Sequence, residues 1–271
     1  MLKQRVLTAL IMAPLALWGL FGLPVDYYIL FVSAIVLVGS WEWANLSGVT
    51  GSGRLIYPLA MAIALLGLND VRSAELDLAI LYAAAGGWLA ALWFVVKYPK
   101  NALWKSTPAR LLIGFAVLVP CWVGFVELRT SLWLGKEELL YILLLVWCAD
   151  IGAYFAGRRF GKAKLAPKVS PGKSWAGVYG GLAATAVLAL VCAQYWSLSQ
   201  QQMLTLLVIT LLVTAVSVLG DLFESMVKRH RGMKDSSNLL PGHGGVMDRI
   251  DSLTAAVPLF VLSLKLTGLS L

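Results

Sequence analysis

The chain has 271 residues, of which 59% are hydrophobic and only 13% charged, and it carries a net charge of +8 at pH 7. A soluble globular chain is about 25% charged, so this composition excludes a water-soluble domain and points to membrane spans. In such a protein, excess lysine and arginine marks loops facing anionic headgroups, so the positive charge calls for no nucleic acid partner.

Nine apolar segments follow in chain order, at roughly 6–23, 27–46, 55–68, 76–96, 111–127, 139–157, 175–196, 203–222 and 252–268. The first follows Met1-Leu-Lys-Gln-Arg and mimics a signal peptide. It runs past Pro14 with no small-x-small cleavage site, so it is expected to stay as a span. The third is short for a crossing, which leaves the count at about nine. The expected fold is an all-α polytopic integral membrane protein, one membrane-embedded domain over 1–271. Cys121, Cys148 and Cys192 lie inside apolar segments without CxxC spacing and read as small buried hydrophobes. With two histidines in the chain, a zinc site is not expected.

Loop charge sets the expected topology. With the N-terminus inside, loops 47–54, 97–110, 158–174 and 223–251 join Lys3 and Arg5 on the cytoplasmic side and hold 18 of the 22 basic residues. Arg72, Arg129, Lys136 and Lys265 fall on the other side, among acidic residues such as Asp77 and Glu127. This bias predicts a cytoplasmic N-terminus and an external C-terminus.

Carboxylates are costly within a membrane and mark candidate sites. Glu42, in "SWEWANL", lies well within a span, where a polar partner and a functional role are both open readings. Asp150 sits near the cytoplasmic face. The loop "KVSPGKSWAG" (168–177) contains Gly172-Lys173-Ser174, but a Walker A motif would need glycine where Pro167 stands. It reads as a basic turn whose Ser170 and Lys173 can reach a phosphate.

If the eighth helix continues past Gly220, "DLFESMVKR" puts Asp221, Glu224, Ser225 and Lys228 on one stripe. Asp248 and Asp251 share a face at the start of the ninth helix, where the helix dipole already favours carboxylates. Between them, Gly244 and Gly245 would let backbone N–H groups approach an anion beside His243. Lys228, Arg229, Arg231, Lys234 and Arg249 supply positive charge. Oxygen donors from Asp221, Asp248 and Asp251 suit a hard cation such as Mg²⁺. Together these groups describe phosphoryl or nucleotidyl transfer. An anion transporter would place its charges near the midplane with repeat symmetry, and no repeat is visible.

Residues 225–251, "SMVKRHRGMKDSSNLLPGHGGVMDRID", resemble the signature of phosphatidate cytidylyltransferases. The fixed positions are Ser225, Lys228, Arg229, Lys234, Asp235, His243, Gly244, Gly245, Asp248, Arg249 and Asp251. The likeness is strong over about 140–268, the expected catalytic helices and loops. It fades over 1–135, where "WEWANL" is the main familiar feature. The resemblance implies an inner-membrane enzyme of bacteria or an organelle membrane, often a homodimer, that converts CTP and phosphatidic acid into CDP-diacylglycerol and pyrophosphate with Mg²⁺. It implies Asp221 and Asp248 as leading metal ligands, with Asp251 assisting and one or two ions held. Lys228, Arg229, Lys234 and Arg249 become phosphate binders. Asp248→Asn and Asp221→Asn are expected to abolish CDP-diacylglycerol formation, whereas Asp77→Asn, on the far face, is expected to be nearly silent.

Overall fold

In hydrocarbon every backbone N–H and C=O must find a partner within the protein, and a helix provides it locally. The computed structural model describes residues 2–100, 102–131 and 134–271, with the side chains of residues 2–7 and 9 outside the description. The side chains of Lys3 and Arg5, and with them part of the first apolar segment, therefore lie outside the described residues. Among those described, nine α-helices dominate: α1 Leu2–Leu17, α2 Val25–Leu46, α3 Gly53–Val71, α4 Ala74–Lys97, α5 Thr107–Thr130, α6 Lys136–Phe160, α7 Trp175–Tyr195, α8 Gln200–His230 and α9 Met247–Thr267. Serine side chains start several of them, as where Ser73 accepts from Leu76 N–H, Ser106 from Ala109 N–H and Ser174 from Gly177 N–H.

Helices α2 to α9 are each long and apolar enough to cross a bilayer. The third is longer than its apolar core suggests, because Gly53-Arg54 and Asn69-Asp70 join the helix and bring it to 19 residues. The first continues as a π-turn over Trp18–Gly22. Its two ends meet opposite ends of the bundle. Thr8 Oγ1 donates to Pro241 O in the long α8–α9 loop, whereas Arg129 Nη2, at the far end of α5, donates to Leu23 O. Thr8 and the α8–α9 loop therefore lie at one end of the bundle, and Leu23 and the end of α5 at the other.

The far end is held by charge rather than exposed to it. Arg72 forks onto Asp77 at 2.6 and 3.0 Å and reaches Glu127 at 3.3 Å, while Lys265 meets Glu127 at 2.6 Å. Asp77 is buried. Its carboxylate helps to lock α3, α4, α5 and α9 together.

The interior is closed by aromatic stacking and by small residues. Phe223 of α8 packs between Trp43 and Trp88, and Trp43 Nε1 donates to Arg110 O at 2.7 Å. Helices α6 and α7 touch at Gly152 and Gly180, where a Cβ on Gly180 would lie 2.6 Å from Gly152 O. One feature departs from an all-helical chain. The α6–α7 loop forms a small antiparallel hairpin, β1 Lys164–Ala166 and β2 Ser170–Ser174. The basic turn expected at "KVSPGKS" is therefore a strand leading directly into α7.

Candidate active site

The stripe expected on α8 forms because that helix runs unbroken to His230. Ser225 Oγ donates to Asp221 Oδ1 at 3.1 Å, and Lys173 of β2 sets its ammonium 2.6 Å from Asp221 Oδ2. One turn further, Lys228 Nζ lies 3.1 Å from Glu224 Oε1 and 2.6 Å from Asp248 Oδ1 of α9. These three side chains are between 3 and 7% exposed. Lys228 is thus neutralised by two buried carboxylates and cross-links α8 to α9.

The loop between them folds back onto Asp248. Its Oδ2 accepts from Ser236 N–H at 2.8 Å and Gly245 N–H at 2.8 Å, with Ser236 Oγ at 2.9 Å. Gly245 N–H, expected to face a phosphate, therefore caps a carboxylate of its own chain. Gly244 has φ +85°, closes a bridge to Leu240, and would place a Cβ 2.6 Å from Asp248 Oδ2. Glycine is the residue that fits there.

Glu42 completes this arrangement, and its role was not legible in the sequence. It is fully buried on α2. Its carboxylate accepts from Ser237 Oγ at 2.5 Å, Val246 N–H at 3.0 Å and Met247 N–H at 2.7 Å, with Ser236 Oγ at 3.0 Å. A carboxylate inside a span is a visible signal. Partners some two hundred residues further along the chain leave no local trace.

Two cavities flank the start of α9. One, of about 410 Å³, lies among α6, α7 and α8 and is lined by Asp150, Arg158, Lys173 and Ser252 with an otherwise largely apolar wall. The other, of about 440 Å³, lies within the α8–α9 loop and is lined by Lys234, Asp235, His243, Gly244 and Arg249. Arg249 borders the loop cavity and Ser252 the other, so the start of α9 stands between a pocket among the long apolar helices and a basic loop pocket. Arg229 borders neither. It ties the hairpin to the loop, with Nε donating to Val169 O at 3.2 Å and Nη1 to Met233 O at 3.0 Å. Ser170 pairs with Ala166 in the hairpin and also lines neither cavity.

The donor set suits a hard cation. Asp221 and Asp248 each already hold a cation, in the form of a lysine ammonium at 2.6 Å. Among the described residues no three acidic, histidine or cysteine side chains converge as a finished ligand shell. Mg²⁺ is usually bound by one or two carboxylates plus substrate phosphates, so this chemistry fits that ion.

Comparison with known proteins shows what the chain as a whole is similar to. A protein-family model described as "Cytidylyltransferase family" matches residues 3–267. The chain is 47% identical to a phosphatidate cytidylyltransferase of Pseudomonas aeruginosa, over 99% of this chain and 98% of that protein. It is 43% identical to the Haemophilus influenzae protein of the same name, over 96% of this chain and 97% of the other. A Staphylococcus epidermidis relative, also so named, is 34% identical over 95% and 97% of the two chains.

Proposed function

The chain belongs to the cytidylyltransferase family, and from that membership we propose that it joins CTP to phosphatidic acid, giving CDP-diacylglycerol and pyrophosphate. One observation carries the reading beyond the likeness. The start of α9 separates a largely apolar cavity among helices long and apolar enough to cross a bilayer from a basic cavity in the loop. A lipid headgroup and a nucleotide triphosphate can therefore approach the same carboxylates from different media.

In the proposed reaction a phosphate oxygen of phosphatidic acid attacks the α-phosphorus of CTP. The bond from that phosphorus to the oxygen bridging the β-phosphate breaks, and pyrophosphate leaves with its electron pair. The attacking group is already an anion, so no strong general base is needed. The barrier lies in bringing two polyanions together and aligning them. Lys234, His243, Gly244 and Arg249 would bind the nucleotide phosphates in the loop cavity. Lys173 would meet the lipid phosphate where its acyl chains remain in the bilayer. Asp221 and Asp248, with Asp251 assisting, would hold Mg²⁺, which when bound neutralises phosphate charge and eases departure of pyrophosphate.

The long apolar helices make this an integral membrane protein. We place it in a bacterial inner membrane with the site end cytoplasmic, where CTP is found and where the basic loops are expected. The test is pyrophosphate release by the purified protein in detergent micelles. Release that requires CTP, Mg²⁺ and phosphatidic acid together supports the reading. Release without phosphatidic acid, or none at all, overturns it.

A further inference from the structure

We propose that Glu42 is a positioning residue for the transfer reaction: it anchors the start of α9 and the loop before it, and so fixes where Asp248 and Arg249 stand. The inference rests on the functional reading above, but the geometry is independent of it. A fully buried carboxylate is tolerated only when donors surround it. Glu42 has them, and all come from one short stretch of chain: Ser236, Ser237, Val246 and Met247.

Two of those donors are the N–H groups at the mouth of α9, Val246 and Met247. A helix leaves its first N–H groups without internal partners, and its dipole favours negative charge at that end. No side chain of α9 itself caps this terminus. Glu42 supplies the cap from another helix, and Asp248 is the residue immediately after Met247.

Ser236 couples the two carboxylates. Its Oγ stands 3.0 Å from Glu42 Oε2 and 2.9 Å from Asp248 Oδ2, with one proton for the pair, while its N–H is given to Asp248. Gly245 sits against the same group. A Cβ there would collide with Ser236 Oγ and with both oxygens of Glu42. The arrangement leaves no slack between Glu42 and Asp248.

The test compares Glu42→Gln with Val36→Ala on the same helix, a buried apolar truncation away from the loop. The amide of Glu42→Gln turns one acceptor into a donor that faces N–H and O–H groups. We expect kcat per folded molecule to fall by about 10- to 100-fold. KM for phosphatidic acid should be unmoved, because the largely apolar cavity is untouched. Hydrogen exchange of the Gly245, Val246 and Met247 amides should accelerate in Glu42→Gln alone. Val36→Ala should lose stability and keep its activity per folded molecule. A Glu42→Gln enzyme with the kcat of the parent overturns the proposal, as does a loss that merely tracks the folded fraction with unchanged exchange at 245–247. If the parent protein makes no CDP-diacylglycerol, the functional reading fails instead, and the exchange comparison still decides the anchoring.

Discussion

Lys228 Nζ lies 2.6 Å from Asp248 Oδ1, and this contact joins the end of α8 to the start of α9 in a place closed to solvent. Glu224 shares the same ammonium at 3.1 Å. Removing one partner of a buried ion pair leaves the other charge without compensation. Lys228→Met should therefore destabilise the protein by about 3–5 kcal/mol, read as a lower midpoint of thermal unfolding in detergent. The double variant Lys228→Met/Glu224→Gln should recover part of that loss. A Lys228→Met protein as stable as its parent would remove the cross-link from the account.

Gly244→Ala tests the turn that presents the α9 carboxylate. The φ of +85° costs an L-residue about 1–2 kcal/mol, and the added methyl would press on Asp248. Activity should fall more than stability does. The check is CDP-diacylglycerol formation per folded molecule beside the unfolding midpoint.

Asp77→Asn separates stability from chemistry. The residue lies at the end of the bundle away from the site, yet its carboxylate takes both arms of Arg72. Losing that charge should cost about 3 kcal/mol of stability. Turnover per folded molecule should stay at the parental level, since no site group is touched. A variant with parental stability would remove the Arg72–Asp77 pair from the account of how the far end is held.

The contrast between Glu42 and Asp248 shows what could be read from sequence. Asp248 and Asp251 fall at spacing i, i+3 beside glycines and basic residues, so a local pattern carried both their helix and their chemistry. The spans were legible for the same reason, since apolar runs are continuous in the chain. Glu42 takes its partners from about two hundred residues further along the chain, and no spacing announces a contact across the bundle. The hairpin at 164–174 was missed because its strands are only 3 and 5 residues long and are held by pairing with each other. Lys228 and Gly245 kept their place at the site. Their polar groups turned out to serve neighbouring carboxylates, which charge counting along the sequence could not distinguish from binding phosphate.

Sidedness has a direct check. Lys164→Cys, on the hairpin at the site end, should resist a membrane-impermeant maleimide in intact cells and react after permeabilisation. Gln201→Cys, at the opposite end where α8 begins, should react in intact cells. The reverse pattern would place the site outside and contradict the proposed orientation.

The central claim is that the carboxylates at the α8–α9 junction serve cytidylyl transfer. Its most direct test is Asp221→Asn assayed with CTP labelled at the α-phosphate, phosphatidic acid and Mg²⁺. The parent should yield labelled CDP-diacylglycerol and one pyrophosphate for each, and chelating Mg²⁺ should stop both. Asp221→Asn, folded as judged by its unfolding midpoint, should lose turnover by at least about 100-fold. Parental turnover in that variant would contradict the account.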